Sequence, residues 1–296
     1  MGDRHHHHGH AHAQSTENIS TAFWLNLTFT VIEIIGGVFT NSMAILSDAL
    51  HDFGDSLSLG LAWYFQKKAA APANKTYTYG YSRFSVMGAL INAAVLIVGS
   101  IFILKETIPR LTNVEHSEPK GMFLLAIFGI GVNGLAVLKL KKGTSLNERA
   151  VMLHLLEDVL GWVAVIIGSG LIYFFKWYIV DPILSLGITA FVFYNAFINL
   201  RSVLRVILQA TPEDLEPAKV EALVANIKNV VGVHDIKIWS LDGTKHVASM
   251  HIVINNESDK YQMKSDIRHE LLHLDIAHVT IETEVQGEPC SESDSL

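Results

Sequence analysis

Cysteine is nearly absent from this chain, and charged side chains are scarce. The single cysteine, Cys290, excludes an internal disulfide and fits a tail that lies in a reducing cytoplasm. Charged residues account for 17% of the 296 residues, whereas 50% of the residues are hydrophobic. A soluble protein rarely has this composition, and the hydrophobic residues are grouped in long runs. These features predict a membrane protein.

Six of the apolar runs are long enough to cross a bilayer, whose hydrocarbon core requires about 20 apolar residues per helix. They are Ile19–Thr40, Met43–Phe65, Phe84–Ile108, Met122–Leu140, Ala150–Phe175 and Pro182–Val206. A polar, His-rich segment precedes the first run, so no cleavable signal peptide is expected. The sequence therefore predicts a polytopic α-helical membrane protein with six transmembrane helices, in a domain over residues 19–208.

Basic residues are concentrated in two of the links between the runs. These residues are Lys67, Lys68, Lys75 and Arg83 after the second run, and Lys139, Lys141, Lys142 and Arg149 after the fourth. Since cytoplasmic links are enriched in Lys and Arg, both links are predicted to face the cytoplasm. With six spans, both termini then lie in the cytoplasm as well. A bacterial inner (plasma) membrane is the expected location.

Beyond the sixth run, the composition becomes that of a small soluble domain. Pro212 disfavours helix at the residue before it, which places a boundary near residue 209. Helical periodicity and strand alternation then predict five elements in the order α-β-β-α-β. They are Leu215–Asn229, Val233–Leu241, His246–Ile254, Asp259–Leu274 and Ala277–Val285. The prediction is a two-layer cytoplasmic α+β domain over residues 209–286, followed by an acidic, disordered tail over residues 287–296.

Two short strings place a His and an Asp four residues apart within apolar runs. One contains His51 and Asp55, and the other contains His154 and Asp158. Residues i and i+4 share one helix face, and a charge at the bilayer centre costs about 2.5–3.5 kcal/mol even on the lenient insertion scale. Two imidazoles and two carboxylates form a tetrahedral set suited to Zn²⁺. The spacing predicts a metal site on a path through the membrane, because Ser, Thr or Asn would join helices at lower cost.

Further carboxylates lie close to these predicted ligands in the sequence. Asp48 and Asp52 share the helix face of His51, and are predicted to hydrogen-bond the imidazole rings or to line an aqueous access route. Glu157 is expected to play a similar part beside Asp158. Glu33, in the first run, is better explained by helix packing or a conformational switch than by metal ligation.

The chemistry of the predicted ligands suggests how transport is driven. Metal binding requires neutral imidazole, and imidazole titrates close to neutral pH. The site can therefore exchange protons for a metal ion, which predicts metal efflux coupled to an inward flow of protons. A membrane-bound metal sensor and a passive metal channel are the alternatives.

A set of motifs along nearly the whole chain resembles the cation diffusion facilitator family. The motifs are Glu33-Ile-Ile-Gly-Gly, Ser47-Asp-Ala-Leu-His-Asp-Phe-Gly-Asp55, Tyr79-Gly-Tyr-Ser-Arg83, Ala89-Leu-Ile-Asn92, His154-Leu-Leu-Glu-Asp158 and Val233-His-Asp-Ile-Lys-Ile-Trp239. The resemblance implies a metallochaperone-like cytoplasmic domain, a homodimer and metal/proton antiport. The ligand set resembles that of the zinc-, cobalt- and cadmium-handling branch, with Fe²⁺ as a further possible substrate. Neither an enzymatic activity nor a nucleic-acid partner is expected.

The same resemblance implies regulatory zinc in the soluble domain. His234, His251, Glu282 and Glu284 match family positions that bind zinc near the dimer contact, although Glu stands where some relatives have His or Asp. Further candidate ligands are His246, His278 and Cys290. Tyr77 occupies a position where some members have a metal-binding His, so a site in that link is not expected.

Two other His-containing segments have competing explanations. The leader, residues 1–18, is predicted to collect or buffer zinc, with an engineered tag as the alternative. Its histidines are His5, His6, His7, His8, His10 and His12. The string His269-Glu-Leu-Leu-His273 matches the zinc-protease signature, but its domain is too small for a protease and a third His is missing at the required spacing. Leu271, Leu272 and Leu274 are better explained as the buried face of a helix.

Overall fold

The computed structural model describes residues 9–69, 71–140, 146–255 and 257–287. Six long helices come first in the chain. They are α1 (Gly9–Thr40), α2 (Met43–Ala69), α3 (Arg83–Arg110), α4 (Pro119–Leu140), α5 (Leu146–Phe175) and α6 (Val180–Ile207). Two compact units form, one from Ile91–Asn199 with the residues before Phe65, and the other from Phe65–Leu90 with the residues from Leu200 onward. The second unit thus includes the link between α2 and α3, whereas the predicted boundaries assign that link to the membrane domain of residues 19–208.

Four of the described helices are long and apolar enough to cross a membrane, judged by their length and composition. These stretches are Phe23–Thr40, Arg83–Arg110, His154–Phe175 and Val180–Ile207. Helix α4 contributes the shorter apolar stretch Pro119–Leu135. Helix α2 carries three aspartates, a histidine and two lysines, which lower its mean hydropathy. A helical membrane domain followed by a small α+β domain is confirmed, whereas the crossing of the bilayer by all six helices stays a prediction.

Helix α1 begins earlier than the apolar run that predicts it. It starts at Gly9, because the polar residues before Ile19 include the helix formers Ala, Gln and Glu. His10 and His12 therefore belong to its first turns. The other leader histidines, His5 to His8, lie outside the described residues, as does Cys290.

The core of the first unit is formed by four helices. Phe29 of α1, Ile45 of α2, Met122 of α4 and Trp162 of α5 are among the buried side chains of one hydrophobic cluster. Gly129 allows α4 to approach α5 closely, since an added Cβ would lie 2.4 Å from the Trp162 ring. Large apolar side chains on the outer faces of the helices are exposed, as expected for a surface that contacts lipid.

The soluble domain has the predicted order of elements. Helix α7 (Pro217–Ala225) precedes strands β1 (Val230–Ser240) and β2 (His246–Ile254), and a short 3-10 turn leads into α8 (Lys260–Leu272) and β3 (Ile276–Val285). Strand β2 lies in the centre of the sheet, antiparallel to β1 and parallel to β3. The α-β-β-α-β prediction is therefore confirmed.

Helices α7 and α8 bury one face each in the core of this domain. Met263, Ile267 and Leu271 of α8 follow one another at four-residue spacing and are at most 2% exposed. Leu272 is 61% exposed, so its predicted burial was wrong. Adjacent helical residues point about 100° apart, and burial of Leu271 turns Leu272 toward solvent.

Candidate metal centres

The four predicted membrane ligands converge between α2 and α5. His154 Nε2 lies 2.9 Å from Asp55 Oδ2. His51 Nε2 lies 3.8 Å from Asp55 Oδ2 and 3.8 Å from Asp158 Oδ1. Ligands placed about 2.0–2.1 Å from a tetrahedral Zn²⁺ are about 3.3 Å from one another. The ligand atoms of His51, Asp55 and His154 lie within 4.8 Å of one another and suit a single zinc ion, whereas Asp158 lies beside His51 and outside that group of three.

Two of these ligand atoms face the centre of the set without another partner. Among the described residues, His51 Nε2 and Asp158 Oδ1 are buried and accept or donate no hydrogen bond. A buried polar atom left unpaired costs free energy. A metal ion bound between the two helices would satisfy both atoms at once, which supports the fit of this donor set to a divalent cation.

The exposure of the ligands changes along the helices. The side chains of Asp55 and His154 are 32% and 40% exposed, whereas that of Asp158 is 9% exposed and Asp52 is 4% exposed. Asp55 lies at the middle of α2, C-terminal to His51, and His154 lies toward the N-terminal end of α5. The more exposed ligand of each helix is therefore the one nearer to the end that adjoins a basic link.

Additional carboxylates surround the site on its buried side. Asp48 and Asp52 are 6% and 4% exposed, and Glu33 of α1 is 1% exposed. Asp48 lies against the backbone of α5, since a Cβ added at Gly161 would lie 3.6 Å from Asp48 Oδ1. In the part of the chain that is described, neither aspartate forms the predicted hydrogen bond to an imidazole ring. Glu157 is exposed on α5 and interacts electrostatically with His154 and Asp158.

The buried carboxylates are close enough to repel one another. Glu33 interacts electrostatically with Asp48, Asp52 and Asp158. Like charges packed in a medium of low dielectric constant must be neutralised. Protons or a cation can supply that neutralisation, so the occupancy of this site by metal and by protons is physically linked.

Polar contacts hold α1 against α2 next to the site. Asn26 Nδ2 donates to the backbone oxygen of Asp52 and to Ser56 Oγ, each at 3.1 Å. Asn26 thus joins the two helices. Asn133 is also buried, and among the described residues its Nδ2 donates to no partner.

A second cluster of ligand atoms lies on the sheet of the soluble domain. His234, His251 and Glu284 place ligand atoms within 4.8 Å of one another. His251 Nδ1 lies 2.7 Å from Glu284 Oε1, and His234 Nε2 lies 3.3 Å from Glu284 Oε2. Glu282 is more distant, with its Oε2 at 3.7 Å from His251 Nε2. The sheet register explains the cluster, because His251 pairs with His234 on one side and with Glu282 on the other.

An anionic side chain lies at the border of this cluster. Asp235 occupies a bulge in β1, and its Oδ2 is 3.8 Å from His251 Nε2. Lys237 donates a hydrogen bond of 2.6 Å to Asp235 and thereby holds the pKa of Asp235 below its usual range. Asp235 is therefore an acidic group at the edge of the cluster.

The other histidines of the soluble domain lie outside the cluster. His246 is 1% exposed at the opposite end of β2, where its Nε2 is 3.7 Å from Asp214 Oδ2. The His278 ring contacts Tyr79, with 5.8 Å between the ring centroids. On α8, the rings of His269 and His273 are 5.0 Å apart, and His269 is 71% exposed. The structure thus does not bring His246 or His278 to the predicted cytoplasmic site.

Sequence reasoning missed a further group of buried polar residues in the first unit. Asp181 is 2% exposed in the first turn of α6, and Ser42, Ser47 and Ser185 are at most 1% exposed. An acidic residue at the start of a helix is common. Its position carries no signal that it contacts a helix more than 130 residues earlier in the chain.

Comparisons with known proteins match both regions of the chain. The family model described as the cation efflux transmembrane domain matches residues 19–208, and the model described as the cytoplasmic domain of cation efflux proteins matches residues 212–286. The chain is 34% identical over 266 residues to the cadmium, cobalt and zinc/H(+)-K(+) antiporter of Bacillus subtilis (strain 168). The aligned residues cover 88% of this chain and 86% of that protein.

Two further relatives are similar over comparable lengths. The chain is 34% identical over 282 residues to the metal cation efflux system protein CzcD of Cupriavidus metallidurans, covering 94% of this chain and 89% of that protein. It is 31% identical over 274 residues to the zinc transporter ZitB of Escherichia coli (strain K12), covering 91% and 87% respectively.

Proposed function

The chain belongs to the cation diffusion facilitator family of cation-efflux membrane proteins, and on that basis we propose that it exports divalent transition-metal ions from the cytoplasm in exchange for protons. Zinc is the favoured substrate, because imidazole and carboxylate together suit Zn²⁺ and a relative is named a zinc transporter. Cadmium and cobalt, which appear in the name of another relative, are further substrates of the same site. Fe²⁺ is accepted by the same ligand types.

One observation carries this proposal. His51, Asp55 and His154 converge from two helices, Asp158 lies beside His51, and His51 Nε2 and Asp158 Oδ1 are buried without a hydrogen bond. A divalent cation bound among these side chains would satisfy both atoms. The set of two imidazoles and two carboxylates permits release as well as capture of the metal, which a set of four thiolates would resist.

The proposed cycle alternates the access of this single site. Asp55 and His154 are partly exposed in this structure, and the proposed topology makes them accessible from the cytoplasm, where neutral imidazoles and ionised carboxylates capture a metal ion. After the helices rearrange, the site opens outward and protons from the more acidic side displace the metal. The buried carboxylates around Glu33 keep the empty site dependent on protons, because their charges cannot remain together unneutralised.

The topology and assembly form part of the proposal. Six helices cross the inner membrane of a bacterium, both termini are cytoplasmic, and the soluble domain of residues 209–286 lies on the cytoplasmic side of a homodimer. The His-rich leader, residues 1–18, buffers zinc near the entrance. His234, His251 and Glu284 bind regulatory zinc, with Glu282 close enough to join them.

The test is zinc uptake by proteoliposomes that contain the purified protein in the inside-out orientation. An acidic lumen and a zinc indicator inside the vesicles reproduce the physiological gradient. Uptake is expected to follow the imposed pH difference and to collapse when a protonophore removes it. A flux that ignores the gradient would indicate a passive channel, and zinc binding without any flux would indicate a sensor.

A further inference from the structure

A buried polar contact joins the start of α2 to the start of α6, away from the metal ligands. Asp181 Oδ1 accepts hydrogen bonds from Ser42 Oγ at 2.5 Å and from the Ala44 backbone N–H at 3.3 Å. Its Oδ2 accepts one from the Met43 backbone N–H at 2.8 Å. The first N–H groups of a helix have no partner within that helix. A carboxylate of α6 therefore caps α2.

A cluster of hydroxyl groups extends this contact further along α2 and α6, and includes Thr107 of α3. Ser47 Oγ and Ser185 Oγ are 2.7 Å apart, Thr107 Oγ1 is 2.9 Å from Ser185 Oγ, and Thr189 donates to Ser47 at 3.1 Å. All four residues are at most 1% exposed. We call Asp181, Ser42 and these four hydroxyl residues the α2–α6 clamp.

The links at this end of the helices also contact one another. Arg110 donates to the backbone oxygen of Asn41 and forms an ion pair with Glu115, each at 3.1 Å. The rings of His116 and Tyr178 are 4.2 Å apart. The turn between α1 and α2 is therefore tied to the α3–α4 link, and that link to the turn before α6.

The clamp and the metal ligands differ in accessibility within this unit. At the start of α2, Asp181 and the hydroxyl groups are covered, whereas Asp55, at the middle of α2, and His154 of α5 are partly exposed. The contact between the starts of α2 and α6 is therefore closed in this conformation. Release of metal on that side requires α2 and α6 to separate there.

The chemistry of the clamp suits a contact that opens repeatedly. Ile45 of α2 belongs to the apolar cluster shared with α1, α4 and α5, where separation would expose hydrocarbon to water. The clamp joins α2 to α6 through hydroxyl, carboxylate and N–H groups instead. Water can replace each of these partners when the contact opens.

We propose that the α2–α6 clamp is the outer gate of the transport cycle and that Asp181 is a positioning residue, which acts by holding the start of α2 and does not bind the metal. The inference rests on the proposed transport function. It predicts that transport stops when the clamp cannot open, even though the metal ligands and their access from the cytoplasmic end are intact.

A reversible disulfide across the clamp tests this inference in the full-length protein. The variant carries Ser47→Cys and Ser185→Cys with Cys290→Ser, so that the only two thiols replace oxygens that are 2.7 Å apart. The contact between the two hydroxyl oxygens makes this the pair of positions at which to place the thiols, because a disulfide requires closely approaching side chains. Oxidation with copper phenanthroline is expected to lower gradient-driven zinc flux at least tenfold, and reduction is expected to restore it. Zinc binding from the cytoplasmic face should persist in the oxidised form.

The matched control is a disulfide at the same end between helices that the proposal leaves together. Thr40→Cys with Gly121→Cys joins α1 and α4, since a Cβ added at Gly121 lies 3.8 Å from the Thr40 Cβ. This disulfide is expected to leave flux unchanged.

Several outcomes would contradict the proposal that the α2–α6 clamp is the outer gate. They are full flux through the oxidised clamp variant, failure of its disulfide to form, and equal loss of flux in the control. Absence of gradient-driven flux in the reduced protein and in the native protein would instead refute the proposed transport function.

Discussion

Asp158 and Glu157 are adjacent carboxylates on α5. The structure predicts that neutralising Asp158 lowers zinc uptake strongly and that neutralising Glu157 hardly changes it. Asp158 is 9% exposed, and its Oδ1 is 3.8 Å from His51 Nε2. Glu157 is exposed on another face of the helix. Asp158→Asn and Glu157→Gln each remove one negative charge at nearly the same depth and preserve the size of the side chain. Any difference between them therefore reports on ligation and not on net charge.

The expected magnitude follows from the position of Asp158 in the ligand set. Loss of a residue that only hydrogen-bonds a metal ligand costs about 10–100-fold in affinity or activity. Loss of a ligand itself should cost at least about 100-fold, which corresponds to about 2.8 kcal/mol at about 1.4 kcal/mol per factor of ten. Asp158→Asn also leaves His51 Nε2 without its nearest anionic neighbour on α5. Glu157→Gln is expected to change uptake by less than about twofold, since exposed charges contribute little.

Initial rates of zinc uptake into acid-loaded proteoliposomes, measured across a range of zinc concentrations, compare the two variants. Size-exclusion profiles and protein orientation must match those of the native protein. The reasoning would be refuted if Asp158→Asn kept more than a tenth of the native uptake at saturating zinc and also bound zinc with native affinity. An equal loss in Glu157→Gln would show that the charge of α5, and not the ligand geometry, controls transport.

Two further predictions concern the soluble domain of the full-length protein. His251→Ala is expected to abolish zinc binding at the cytoplasmic cluster in a calorimetric titration, while His269→Ala on the exposed face of α8 retains it; equal losses would contradict the cluster. Leu271→Ala is expected to destabilise the domain by about 2–5 kcal/mol, because its side chain is fully buried, whereas Leu272→Ala should cost less than about 0.5 kcal/mol. Hydrogen exchange of the β2 amides measures both effects, and faster exchange in Leu272→Ala than in Leu271→Ala would contradict the orientation of α8.

Elements with strong local signals were predictable from the sequence. Long apolar runs located the membrane helices, and alternation located β2 at His246–Ile254, as observed. Helix boundaries were less predictable, since α1 continues through polar residues that are good helix formers. The error at Leu272 has a geometric origin, because a helix cannot bury two adjacent residues on one narrow face.

The metal ligands within one helix could also be predicted, because four-residue spacing fixes their shared face. Convergence of the two helices was inferred from metal chemistry and is present in the structure. Exposure of Asp55 and burial of Asp158 could not be predicted, because they depend on how the helices pack. The same limit applies to His246, which lies on the strand of His251 but five residues away, about 17 Å along the strand.

The α2–α6 clamp was missed because serine and threonine within an apolar run do not indicate a buried polar contact. A histidine or aspartate in such a run is conspicuous, since its burial is costly and demands a partner. Serine and threonine are tolerated in membrane helices at little cost, because their hydroxyls can bond to the backbone of the preceding turn, as Ser47 does to Met43. Only the arrangement of helices reveals that four such hydroxyls meet. The hydroxyl groups of the proposed gate therefore give no signal in the sequence, and their low cost of burial is also the reason that their contacts can open easily.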